Sequence, residues 1–152
     1  MSKKKTPKGV KTPQISKGVI PIGCADCINS KNATPSWRFD LMGKPDIFPF
    51  PNDIAKVNEI LRTLAEYETQ TLGELRGNRN GNRYAVYDLS ELHDKLNKNV
   101  VDFMRERYRD FEELHRFRIK AKERVYAICS DRGVFRLLFW DPKHEIYPLD
   151  NK

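Results

Sequence analysis

Arg116-Phe117-Arg118-Ile119-Lys120-Ala121-Lys122-Glu123-Arg124-Val125-Tyr126-Ala127-Ile128 is the stretch from which the fold is read. Every even-numbered residue from 116 to 124 is basic, while Phe117, Ile119 and Ala121 occupy odd positions that Val125 and Ala127 continue. Successive side chains of a strand point to opposite faces, so this parity sorts cations onto one face and a core onto the other. A hairpin turning near Lys120 to Lys122 keeps the sorting. It predicts Arg118 opposite Arg124 and Arg116 opposite Tyr126, with Phe117, Ile119 and Val125 buried. Like charges directly opposed on a sheet repel, so the arrangement suits an anion lying across it, with a polyphosphate backbone the obvious candidate. A solvated sheet face whose cations discourage aggregation is the bland alternative.

Around this hairpin, Val134 to Trp140 is the most apolar segment and reads as a central strand, reached through a turn at Asp131-Arg132-Gly133. Upstream, Trp37 to Leu41 alternates as a first strand, and Tyr84 to Tyr87 is a short one. Asn52-Asp53 caps a helix over residues 53 to about 68, with Ile54, Val57, Ile60, Leu61, Leu64 and Tyr67 on its apolar side. Leu72 to Leu75 extends it after a break near Gly73. Ser90 caps a second helix ending near Tyr108, with Leu92, Leu96, Val100 and Phe103 as its stripe. The predicted order is β-α-(β)-α-β-β-β: an α+β fold, an antiparallel sheet with two main helices on one face and the basic residues on the other.

The chain has 152 residues and a net charge of +7, but six lysines and no acid lie within residues 1 to 20, leaving 22 basic against 21 acidic residues elsewhere. The folded part is therefore near neutral, and a nucleic-acid reading must rest on local clustering. Residues 1 to 18 read as a flexible lysine-rich arm and 19 to 152 as a single α+β domain. No segment has the length of a membrane span or the pattern of a signal peptide, so no membrane partner and a cytoplasmic location are expected. Three cysteines argue against a disulfide framework. Cys24 and Cys27 have the spacing of half a zinc site without the other half, and unpaired loop thiols are the simpler reading, with Cys129 in the core. The Gly77 to Arg83 loop lacks the ending of a phosphate-binding loop and is a candidate to touch RNA or a partner.

The element order, together with the basic Arg-Ile strand, the Lys and Arg turn, the aliphatic strand and a final strand ending near His144 and Tyr147, resembles the RelE/YoeB/HigB superfamily of toxin ribonucleases. The resemblance runs over residues 37 to 148, with its specific part at 116 to 147. It implies a RelE-like fold and a metal-independent endoribonuclease of a toxin-antitoxin system. Such an enzyme uses no cofactor, cleaves mRNA on the ribosome by attack of a ribose 2′-hydroxyl, and is held inactive by an acidic antitoxin protein. That chemistry needs a base, an acid and cations for the crowded phosphorane. Arg124 is carried over as the transition-state cation and Arg118 as a phosphate clamp, with Arg116, Lys120 and Lys122 completing an RNA-binding surface. His144 and Tyr147 correspond to the family's C-terminal His-Tyr, here separated by two residues. Glu123 is a further candidate base, and Asp141 a candidate to orient His144. The alternatives are a noncatalytic nucleic-acid-binding module, and a regulatory protein-interaction domain whose basic tail meets an acidic partner.

Overall fold

The computed structural model describes residues 31–77 and 83–148. The first strand, β1, is only Ser36–Arg38, shorter than the alternation predicts, because the chain turns at Asp40 to Gly43. Helix α1 spans Ile54–Tyr67, and its N-terminus is capped by Asp53, whose carboxylate accepts the Ala55 amide at 3.0 Å. Its buried stripe is Ile60, Leu64 and Tyr67, whereas Ile54 and Leu61, expected on that stripe, are exposed. Helix α2, Leu72–Gly77, is a separate short helix. It is opened by a reciprocal capping box, in which the Thr71 amide donates to Glu74 at 3.1 Å and the Glu74 amide to Thr71 at 3.2 Å.

Strand β2, Tyr84–Asp88, leads into turns rather than directly into a helix. The Asp88 carboxylate accepts the amides of Ser90 and Glu91 and the Ser90 hydroxyl, so Ser90 is a donor in a local turn and not a helix cap. Helix α3, Lys98–Arg107, starts eight residues later, where the Asn97 side chain accepts from the Asn99 amide at 2.9 Å. Strands β3 (Glu113–Lys120), β4 (Glu123–Asp131) and β5 (Val134–Asp141) follow as an antiparallel meander.

These strands form one five-stranded sheet in the order β1-β5-β4-β3-β2. The fold is α+β, but the sheet is mixed: β1 runs parallel to β5, pairing Trp37 with Phe135, and every other pairing is antiparallel. The helices do not share a face. Under α1 and α2 lie Phe117, Val125, Ala127, Phe135, Leu137 and Trp140, and Trp37 reaches across to donate its indole N–H to the Leu64 carbonyl at 3.1 Å. On the opposite face Val100, Val101 and Met104 of α3 pack on Leu114, Tyr126, Ile128, Leu138 and Phe139. The face expected to carry only cations therefore carries a second core. Its parity is shared by apolar residues at one end of the meander and by arginines at the other.

Cys129 is buried on β4, as expected of a core residue, but it is disulfide-bonded, against the expectation that the three cysteines form no disulfide framework. The arm, Cys24, Cys27 and the centre of the Gly77 to Arg83 loop lie outside the described residues. Among the described residues no helix is long and apolar enough to cross a membrane.

Candidate functional site

The β3–β4 register is the one the sequence predicts: Arg118 faces Arg124, Arg116 faces Tyr126 and Phe117 faces Val125. Arg116, Arg118 and Arg124 consequently lie on the α3 side of the sheet, the face that also carries Leu114, Tyr126 and Ile128. A register shift between Arg118 and Lys120 interrupts the alternation, and Lys120 pairs with Glu123. Lys120 is thereby turned to the α1 side, where its ammonium lies 3.6 Å from Glu59. Lys122 is exposed at the hairpin tip. Of the five alternating cations, the fold keeps three arginines together.

Arg124 is 7% exposed and Arg116 3%, unusual burial for guanidinium groups. The Nη1 of Arg124 donates to the carbonyls of Ala121 and of Glu123, the latter at 3.0 Å. These contacts tie the head group to a turn in which Ala121 takes a left-handed conformation, φ 46°. Burial, followed by the repulsion of Arg116 and Arg118, pushes the Arg124 pKa below its ordinary value. Arg116 donates from Nη1 to the hydroxyl of Tyr87 at 3.1 Å. The Tyr87 ring in turn stacks on Tyr147, with centroids 4.6 Å apart and planes 23° from parallel. Burial raises the Tyr87 pKa, and raises that of Tyr126 far more, so both phenols keep their protons through the physiological range.

Asp141, the β5 neighbour of Arg124, has no exposed surface. Its two oxygens accept the amides of Glu145 and Ile146, each at 2.8 Å. It therefore shapes the loop that carries His144, holding backbone where the sequence suggests an imidazole partner. His144 sits in that loop with φ 61°, and its Nε2 is buried with no hydrogen-bond partner among the described residues. Glu123 does not join the arginines. It points to the α1 side, where Lys56 meets it at 2.6 Å.

The structure thus brings together Arg116, Arg118 and Arg124 with Tyr147. It places His144 on the adjoining loop and sends Glu123 and Lys120 to the other face. Sequence reasoning missed two members, Tyr87 and Tyr126. The signal for Tyr126 was available, since the predicted register already set it opposite Arg116. For Tyr87 the signal is weaker, because nothing local pairs β2 with β3. As chemistry, the assembly offers several guanidinium donors and phenolic hydroxyls beside an aromatic stack, which suits phosphate and base contact. No protein-family model, curated protein or solved structure matches the chain.

Proposed function

We propose that the arginine and tyrosine face binds single-stranded RNA and that the protein is a RelE-like, metal-independent endoribonuclease toxin acting on mRNA at the ribosome. The observation that carries this reading is the directly opposed Arg118 and Arg124 pair, with Arg116 one pleat away on the same face. Opposed cations repel in a sheet, and a phosphodiester bridging two guanidinium groups relieves that repulsion with charge-assisted hydrogen bonds. In this reading a ribose 2′-hydroxyl gives up its proton as its oxygen attacks the adjacent phosphorus, the P–O5′ bond breaks to leave a 2′,3′-cyclic phosphate, and the departing 5′ oxygen takes up a proton. Arg124 and Arg118 stabilise the charge gathered on the phosphorane. Tyr147, stacked on Tyr87, offers a platform for a splayed base. His144 is the proton-transfer group, its unengaged Nε2 facing no competing partner among the described residues. An acidic antitoxin covering the same cations would hold such an enzyme inactive.

The noncatalytic RNA-binding reading is favoured by one observation: Glu123, a candidate base, is committed to Lys56 on the far face. Binding and cleavage separate cleanly by titration. Arg118→Ala and Arg124→Ala should each weaken binding of a labelled single-stranded RNA about tenfold at low salt. Each should also flatten the dependence of log affinity on log salt by roughly 0.7 for every phosphate the variant no longer holds. His144→Ala should retain that affinity and lose cleavage. Unchanged RNA affinity and salt slope in both arginine variants would remove the reading.

A further inference from the structure

Around the buried arginines many polar groups are engaged. Both Asp141 oxygens hold backbone amides, Arg116 donates to Tyr87, and the Arg124 head group is seated on turn carbonyls. The Tyr126 hydroxyl is not. The residue has no exposed surface, and its Oη has no hydrogen-bond partner among the described residues. The Nε of Arg124, one pleat away on the same face, is likewise buried and without a partner among them.

Packing does not call for this hydroxyl. Tyr126 lies beside Phe139 on β5, in a core where phenylalanine already fills equivalent space, and a buried hydroxyl that makes no bond is worse than a ring edge. The oxygen is, however, set among cations. Arg116 is directly across the strand pair, Arg124 precedes it on the same face, and Tyr87 lies 6.3 Å away between ring centroids. Asp141 on the flanking strand also acts on it, and with burial and Tyr87 keeps its proton in place. The result is a neutral donor that stays protonated beside guanidinium groups.

We propose that the Tyr126 hydroxyl is a further ligand of bound nucleic acid, donating its hydrogen bond to a phosphate oxygen that Arg118 and Arg124 hold. This rests on the RNA-binding reading of the same face. In the free protein Arg124 donates to neutral turn carbonyls. A phosphodiester offers it a charge-assisted, two-point contact instead, so the guanidinium exchanges one for the other. Because Arg124 precedes Tyr126 on the same face, that movement opens the route to the hydroxyl and to its own Nε. The site then presents charged and neutral donors to one phosphate, which fixes the phosphate's orientation as well as its charge.

The test is Tyr126→Phe in the full chain, which removes one oxygen. It is read by titration with a fluorescein-labelled single-stranded RNA dodecamer at low salt and by thermal melting. Affinity should fall about fivefold, the worth of one hydrogen bond, while the melting temperature stays level or rises. Unchanged affinity overturns the proposal. So does a lowered melting temperature, which would mean that the hydroxyl serves an internal partner. Arg118→Ala and Arg124→Ala in the same titration separate the two levels. If they weaken binding and Tyr126→Phe does not, Tyr126 alone loses its role. If neither arginine matters, the RNA reading itself fails.

Discussion

Asp141 shows how one buried side chain can organise a site without touching what binds there. A carboxylate with no exposed surface is costly unless its lone pairs are used, and here two backbone amides use them at 2.8 Å each. Asp141→Ala strands both N–H groups and should cost about 2–3 kcal/mol by urea denaturation, with Asn recovering part because it keeps one acceptor oxygen. A change under about 0.5 kcal/mol would mean that the loop does not depend on the carboxylate. The sequence showed that Asp141 and His144 are near neighbours. It could not show that the acid would choose amides over the ring, because that choice depends on the loop conformation, including the left-handed turn at His144. Arg124 and Tyr126 were easier to place, since a period of two and a short turn fix the register.

Among the elements, the β3–β4 hairpin was legible while its surroundings were not. The register shift after Arg118 has no mark in the alternation of charges, yet it moves Lys120 to the far face. The late start of α3 reflects competition: Asp88 draws Ser90 into its own turn and leaves the capping to Asn97. The pairing of β1 with β5 joins segments almost a hundred residues apart, so only the finished core selects it, and with it the mixed sheet. The turn between β4 and β5 depends on Gly133, which has φ 72° and where an added Cβ would lie 2.8 Å from the Thr34 carbonyl oxygen. Gly133→Ala should therefore destabilise by about 2–3 kcal/mol, through strain and through the displaced approach to β1. Gly43 is the natural control, with φ 78° but nothing within 4 Å of an added Cβ. Gly43→Ala should cost about 1 kcal/mol, the conformational part alone. Equal destabilisation at the two glycines would show that the approach to Thr34 is unimportant.

Considered whole, the described residues form a sheet clad on both sides, with buried arginines at the hairpin end of β3 and β4 on the α3 side. The helices on opposite faces escaped the sequence because Leu114, Ile128 and Leu138 share a face with the arginines, and charge parity alone hides a second core. Under α1 and α2 that cladding also encloses His115, 2% exposed, whose Nδ1 is 2.7 Å from the Tyr84 hydroxyl. Burial, then the nearby Arg76, pushes its pKa down to about 3. Its folded value lies below the unfolded one, so the unfolded chain takes up the proton first. The stability that neutral His115 contributes is complete above about pH 6.5 and falls as pH drops toward 3. Between pH 7 and 5 the protein should be destabilised by about 2 kcal/mol through this residue, read by urea denaturation at both values. His115→Gln should remove most of that pH dependence, and a wild-type stability that is flat over the interval would contradict the burial of a neutral imidazole.

The function proposed for the arginine face is tested by inducing wild type, Arg124→Ala and His144→Ala in bacteria and mapping mRNA 5′ ends on translated messages. Growth arrest with new ends inside codons, absent from both variants at equal soluble expression, is the expected result. No arrest and no new ends from well-expressed wild type would contradict a ribosome-dependent nuclease.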